Sequence, residues 1–120
     1  MPSIHAVERF VSLVESGHGL DAIQQFYAEH ASMQENGAPP RKGKAALLAF
    51  ERAAQASVSR LTSTCVRPVL VEGDVVVIRW VFSYTTAGDK AVRLEELAYQ
   101  QWDGDLIVRE QFFYDPAQLA

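Results

Sequence analysis

The sequence predicts an α+β fold in which three N-terminal helices pack in the concave face of a strongly curved antiparallel meander and leave an internal pocket. Apolar residues recur at helical spacing up to about Ala56, and from Ser57 onward the texture changes to segments rich in Val, Thr and Leu. Gly-Asp and Asp-Gly turns divide that second half into consecutive hairpins. Helices first and a meander after them is an α+β layout.

The first helix is predicted by Ile4, Val7, Phe10, Val11 and Val14, with Ser3 as its N-cap and Gly17 as its stop. A short second helix follows, with Leu20, Ile23, Phe26 and Tyr27 on one side. Ala31 to Glu35 is too short for a helix and leads into the turn residues Asn36-Gly37-Ala38-Pro39-Pro40. Gly43 opens a third helix from Lys44 to about Ala56, with Leu47, Phe50 and Ala54 as its inward stripe. Strand segments are predicted at Ser59–Glu72, Val75–Thr86, Lys90–Trp102 and Leu106–Tyr114. Gly73-Asp74, Ala87-Gly88-Asp89 and Asp103-Gly104-Asp105 turn between them, and Asp115-Pro116 closes the last.

The 120 residues contain no linker, repeat or low-complexity tract, so a single domain over 1–120 is expected. A net charge of −4 argues against nucleic acid as a partner, because phosphate-backbone binding relies on clustered Lys and Arg. The short basic group Arg41, Lys42 and Lys44 flanks a turn and reads as solvated loop. A lone cysteine, Cys65, cannot form an internal disulfide and reads as an inert buried thiol in a reducing compartment. Charges interrupt the N-terminal apolar run, and nothing approaches the roughly 18 apolar residues of a membrane span. A soluble, cytoplasmic protein is expected. His5, His18 and His30 fall on different elements, so no metal site is expected. No dinucleotide fingerprint or phosphate loop is present, and no cofactor is expected.

Strands alternate faces with a period of two. On Val75–Thr86 the larger, more aromatic face is Val76, Ile78, Trp80, Phe82 and Tyr84, which places it against the helices. The matching faces are Val92, Leu94, Glu96, Ala98, Gln100 and Trp102 on the next strand, and Leu106, Val108, Glu110, Phe112 and Tyr114 on the last. Both therefore carry a glutamate among core-facing residues. An isolated buried carboxylate is costly unless paired, hydrogen-bonded or neutralised, and desolvation raises its pKa toward the range useful for acid–base chemistry. A bulge would exchange Glu95 for Glu96, and a one-residue slip would turn Arg79 and Arg109 inward. The opposite face, with Val75, Val77 and Val81, is too apolar for a solvated sheet, which points to a homodimer through it.

Three stretches of the chain, Phe26 to Gly37, Arg41-Lys42-Gly43-Lys44, and Asp103 through Glu110 to Tyr114-Asp115, resemble the ketosteroid isomerase and SnoaL-like polyketide cyclase group of the nuclear transport factor 2-like superfamily. The resemblance implies a cone whose sheet wraps around the first helix, with the pocket at its open end. It also implies dimerisation through the outer sheet face. Ketosteroid isomerases place a general base just after the second helix, where this chain has Glu35. The two oxyanion donors of those enzymes fall on Phe10 and Ala98 here, and neither side chain can donate a hydrogen bond. Losing one such donor typically costs about 10²–10³ in rate, so steroid isomerisation is not expected. SnoaL-like cyclases place an acid/base deep in the pocket, a role the resemblance offers to Glu110.

The candidate catalytic residues are thus Glu110 and Glu35, and the candidate substrate-binding residues are Phe10, Trp80, Tyr84, Glu96, Gln100, Trp102, Phe112 and Tyr114, with Tyr99 as a further orienting group. Three functions are compatible with them. One is cofactor-free proton transfer on a small hydrophobic carbonyl or cyclic compound, as an isomerase, cyclase or dehydratase. The second is non-catalytic small-molecule binding. The third is a dimeric accessory role, which predicts a pocket filled by Trp80, Phe82 and Trp102.

Overall fold

A computed structural model describes residues 1–120. Helix α1 spans Ile4–Glu15, and Ser3 caps it by accepting the Ala6 amide at 3.0 Å. It buries Val7, Phe10 and Val11, and the chain leaves it through Gly17 at φ +83°, a left-handed conformation that suits glycine. Helix α2 covers Gly19–Phe26 and buries Ala22, Ile23 and Phe26. Helix α3, Lys44–Ala56, starts from Gly43 at φ +93°. Of its expected inward stripe only Leu47 is fully buried. Phe50 is 45% exposed, because that part of the stripe borders an open cavity and not the core.

The strands are β1 (Tyr27–Glu35), β2 (Arg41–Lys42), β3 (Val58–Glu72), β4 (Val75–Thr86), β5 (Ala91–Asp103) and β6 (Leu106–Phe113), followed by a 3₁₀ turn at Pro116–Leu119. They form one sheet in the order β2-β1-β6-β5-β4-β3. The α+β architecture is as the sequence predicts, but two strands differ: Arg41–Lys42, read as solvated loop, is the short edge strand β2, and β1 was not anticipated. Tyr27 begins a strand and does not sit on the second helix, and the stretch through Glu35 belongs to that strand. β1 pairs in parallel with β6, so the sheet is mixed and not purely antiparallel. The composition of β1 (Ala, Glu, His, Ser, Gln) gives little strand signal. Its pairing with the open edge of β6 and the burial of Tyr27, Ala28, Ala31 and Met33 override that weak propensity.

The sheet curls without closing. The β3–β4 register shifts between Ser59 and Thr62 and again between Val66 and Leu70, and such irregularities bend a strand. A further shift between Gln101 and Trp102 pairs Trp102 with Ile107. As a result Ile107 points inward and is fully buried, while Leu106, placed inward by simple alternation, is 42% exposed. The concave face otherwise follows the expected parity, with Val76, Ile78, Trp80, Val92, Ala98, Gln100, Trp102 and Glu110 all buried. Phe10 anchors the helices to it, its ring centroid 5.9 Å from Phe26 and 6.2 Å from Trp102 in edge-to-face contacts.

The convex face carries Arg79, Glu95 and Arg109, so the two arginines point away from the pocket. Val75, Val77 and Val81 lie there half-buried. Around them Leu70 is 58% exposed, Leu97 45%, Tyr99 47% and Phe113 45%, with Arg79 between Val77 and Val81 and opposite Leu97. Val77 lies opposite Tyr99, and Leu97 opposite Phe113.

Candidate functional site

The curl of the sheet and the three helices enclose a cavity of about 490 Å³ lined by 27 residues, 17 of them hydrophobic. Concave, mostly apolar sites with a few convergent polar groups are where small molecules bind. Its aromatic lining is Phe10 from α1, Tyr27 from β1, Phe50 from α3, Trp80, Phe82 and Tyr84 from β4, Phe112 from β6, and Tyr114 just after it. Trp80 and Phe82 stack, centroids 5.6 Å apart, and leave the space beside them open.

Glu110 is the one charged side chain that the fold buries almost completely, at 2% exposure. Its Oε2 accepts from the Gln100 amide nitrogen at 2.6 Å and its Oε1 accepts from the Tyr27 hydroxyl. Gln100 in turn accepts from the Trp102 indole N–H at 3.0 Å. Indole can only donate, and a carboxylate can only accept, so the Gln100 amide has one workable orientation. The chain Trp102–Gln100–Glu110–Tyr27 holds the carboxyl rigidly, and it contains no cation. Burial pushes Glu110 up to about 7, partly opposed by the hydrogen bonds from Gln100 and Tyr27. Burial first, and the Glu110 charge second, hold the Tyr27 phenol well above its ordinary range, so it stays protonated and donates.

Glu96 faces the cavity and Glu95 does not. Glu95 lies on the convex face between Arg93 at 2.7 Å and Arg79 at 3.1 Å, which hold its carboxyl below the usual range. Glu96 is half-buried and has no ion pair or hydrogen bond. Desolvation, followed by repulsion from Glu110, Glu35 and Glu51, raises it to about 8. Glu35 also lines the cavity, but Arg41 pairs with it at 2.7 Å. The Arg41 guanidinium lies 3.6 Å above the Phe50 ring. A carboxylate neutralised in this way is a poor general base. Of the two catalytic candidates, only Glu110 combines burial with the absence of a cation.

Phe10, Trp80, Tyr84, Glu96, Phe112 and Tyr114 all reach the cavity surface. Gln100 and Trp102 do not. They lie behind Glu110 as its support, fully buried. Tyr99 points to the convex face, because it has the opposite parity to Gln100. His30 is exposed on β1, since α2 ends four residues earlier at Phe26. Cys65 lies outside the cavity, and burial raises its thiol further from reactivity.

Among the cavity residues absent from the sequence candidates are Tyr27, Arg41, Phe50 and Glu51. Glu51 was legible: Leu47, Phe50, Glu51 and Ala54 share the i, i+3, i+4, i+7 face of one helix. Tyr27 was not, because its position depends on the unanticipated parallel strand.

No helix is long and apolar enough to cross a membrane. No group of three His, Cys, Asp or Glu side chains is arranged to hold a metal ion. No curated protein matches the chain. Among solved structures, a candidate SnoaL-like polyketide cyclase from Mesorhizobium loti superposes with a TM-score of 0.79 at 22% identity, covering 92% of this chain and 97% of its own. A protein of ketosteroid isomerase-like fold from Catenulispora acidiphila, in complex with trimethylamine, gives 0.78 at 15% identity over 94% and 87%. TerC, co-crystallised with polyporic acid, gives 0.79 at 12% identity over 97% and 93%. At these identities the likeness is one of fold. The family model of the SnoaL-like domain matches residues 7–110, so the chain belongs to the SnoaL-like domain family.

Proposed function

We propose that this protein binds a small hydrophobic carbonyl or cyclic compound in its cavity and moves a proton on it without a cofactor, as an isomerase, cyclase or dehydratase. The observation that carries this reading is Glu110: a carboxyl 2% exposed, at the cavity wall, fixed by Tyr27 and Gln100 with no arginine or lysine to neutralise it. In its ionised form it removes a proton from the carbon next to a carbonyl, and the C–H electron pair moves into the enolate. The same carboxyl then returns the proton to another atom of the substrate. A carboxyl that titrates near neutrality suits both halves of that exchange. Glu35, paired with Arg41, shapes the cavity wall and does not act as the base.

Two structural neighbours hold small organic molecules, polyporic acid in one and trimethylamine in another, which fits a ligand-holding use of this fold. The convex patch around Val75, Val77 and Val81 pairs two copies of the chain in this proposal. A reducing compartment such as the cytoplasm fits the lone, buried Cys65. The test is solvent-deuterium exchange at the α-carbon of a panel of ring-containing ketones. Wild type should accelerate exchange for at least one ketone, and Glu110→Gln should abolish the acceleration. Saturable binding of the same ketones with equal exchange by both proteins would leave a binder in place of an enzyme.

A further inference from the structure

The reading of the cavity as a small-molecule site leaves open which class of molecule it selects. The charges that face it give an answer. Glu35, Glu51, Glu96 and Glu110 line the cavity, and Arg41 is the one cation among its lining residues. Arg41 is already paired with Glu35 and stacked on Phe50. Glu110 is taken up by Tyr27 and Gln100, and Glu51 accepts from Gln55 at 3.1 Å. Glu96 is left as the cavity carboxyl with no partner within the protein. An anionic ligand would meet repulsion from the cavity carboxylates, and once Glu96 ionises a neutral ligand would leave its charge desolvated without compensation.

The surroundings of Glu96 are aromatic. Trp80 lies directly opposite it on β4 and is stacked on Phe82. The Glu96 charge also acts on the nearby Tyr114 phenol. An ammonium group gains from the faces of such rings as well as from the carboxylate. Glu110 is paired with Gln100, four residues from Glu96 along β5, which is about 13 Å at strand spacing. The acid/base and the unpartnered carboxyl are therefore anchored at two separate backbone positions on the cavity wall.

We infer that the ligand carries a basic nitrogen, and that Glu96 is its counter-ion between Trp80 and Tyr114 while Glu110 addresses the reacting carbon. Glu96 is a positioning and specificity residue in this scheme and takes no proton from the reacting centre. Because burial and the neighbouring carboxylates keep Glu96 protonated to about pH 8, the site must ionise to accept a cation. Affinity for a permanently charged ligand should therefore rise with pH. The other groups facing the site are Glu35, Arg41, Glu51, Glu110 and the phenols of Tyr27, Tyr84 and Tyr114. Of these, Glu110 also ionises in this range and adds to the rise.

The experiment uses the full chain and three para-substituted acetophenones: (4-acetylphenyl)trimethylammonium, its uncharged isostere 4-tert-butylacetophenone, and 4-acetylbenzoate. Calorimetric titration at pH 6 and pH 9 reads their affinities. The cation should bind at pH 9 roughly tenfold more tightly than its isostere, a preference of the size expected for a partly desolvated charge and aromatic contact. That preference should shrink severalfold at pH 6, and the benzoate should bind weakest throughout. Glu96→Gln should remove most of the preference and leave only the smaller pH dependence that Glu110 supplies, with the neutral ketone's affinity in place. Glu110→Gln should retain most of the preference. Equal binding of cation and isostere at pH 9, or a preference undiminished by Glu96→Gln, overturns the inference and leaves the small-molecule reading intact. Failure of all three probes to bind at either pH would overturn both.

Discussion

Replacing Glu110 by glutamine should change how stability depends on pH, by an amount the site itself sets. Glu110 holds its proton to about pH 7 in the folded protein, against an ordinary value of 4.5 once the chain unfolds. Between those two values the folded state binds the extra proton, so stability falls as pH rises. The contribution is fully present below pH 4.5 and gone above pH 7. A displacement of about 2.5 units at 1.36 kcal/mol each gives about 3 kcal/mol. The group is almost fully buried, so solvent screening does not reduce this figure. Urea denaturation at steps between pH 4.5 and pH 8.5 reads the effect as a difference between two proteins. Glu110→Gln keeps the shape of the side chain and can still bond to both Tyr27 and Gln100. Relative to wild type it should gain about 3 kcal/mol of stability across that interval, most of it between pH 5 and pH 7. Parallel profiles for the two proteins would refute the desolvated state of Glu110 without a cation beside it.

Other perturbations follow from the same geometry. Tyr27→Phe removes a donor that lowers the Glu110 pKa, so the Glu110 midpoint should move further up by carbon-detected NMR, with a stability loss of about 1–3 kcal/mol by urea denaturation. Gln100→Leu orphans both the Trp102 indole N–H and Oε2 of Glu110, and should cost more than Tyr27→Phe in the same assay. Leu47→Ala, at a site with no solvent exposure under α3, should cost about 2–5 kcal/mol. Tyr99→Lys combined with Leu97→Glu on the convex patch should convert the proposed dimer to a monomer by sedimentation while leaving far-UV circular dichroism unchanged.

Much of this arrangement was legible in the order of residues, and the exceptions share a cause. The helices announced themselves through apolar spacing and their caps at Ser3 and Gly43. The hairpins did so through Gly and Asp at the turns. Strand parity alone placed Glu96 and Glu110 on the inner face, and Glu110 is where that reasoning had most force, because a glutamate between Val108 and Phe112 has no local explanation. Strand β1 was illegible because its residues have little preference for a strand. It exists because β6 offers it an edge, a relation across some 80 positions of chain. Tyr27, the partner of Glu110, was lost with it. The inward turn of Ile107 was hidden for a similar reason, since a register shift between Gln101 and Trp102 breaks the alternation that predicts it. Gln100 and Trp102 were assigned to the cavity wall because parity gives a face and not a depth. Both are on the correct face, one layer below the surface that a ligand would touch.

The most direct test of the account is a site-resolved titration of the glutamate side-chain carboxyl carbons by carbon-detected NMR, assigned through Glu110→Gln and Glu96→Gln. Glu110 should titrate at about 7 and Glu96 at about 8, far above the ordinary 4.5. A Glu110 midpoint at or below 4.5 would contradict it, because the carboxyl would then be solvated or ion-paired and no longer poised for proton transfer in the cavity.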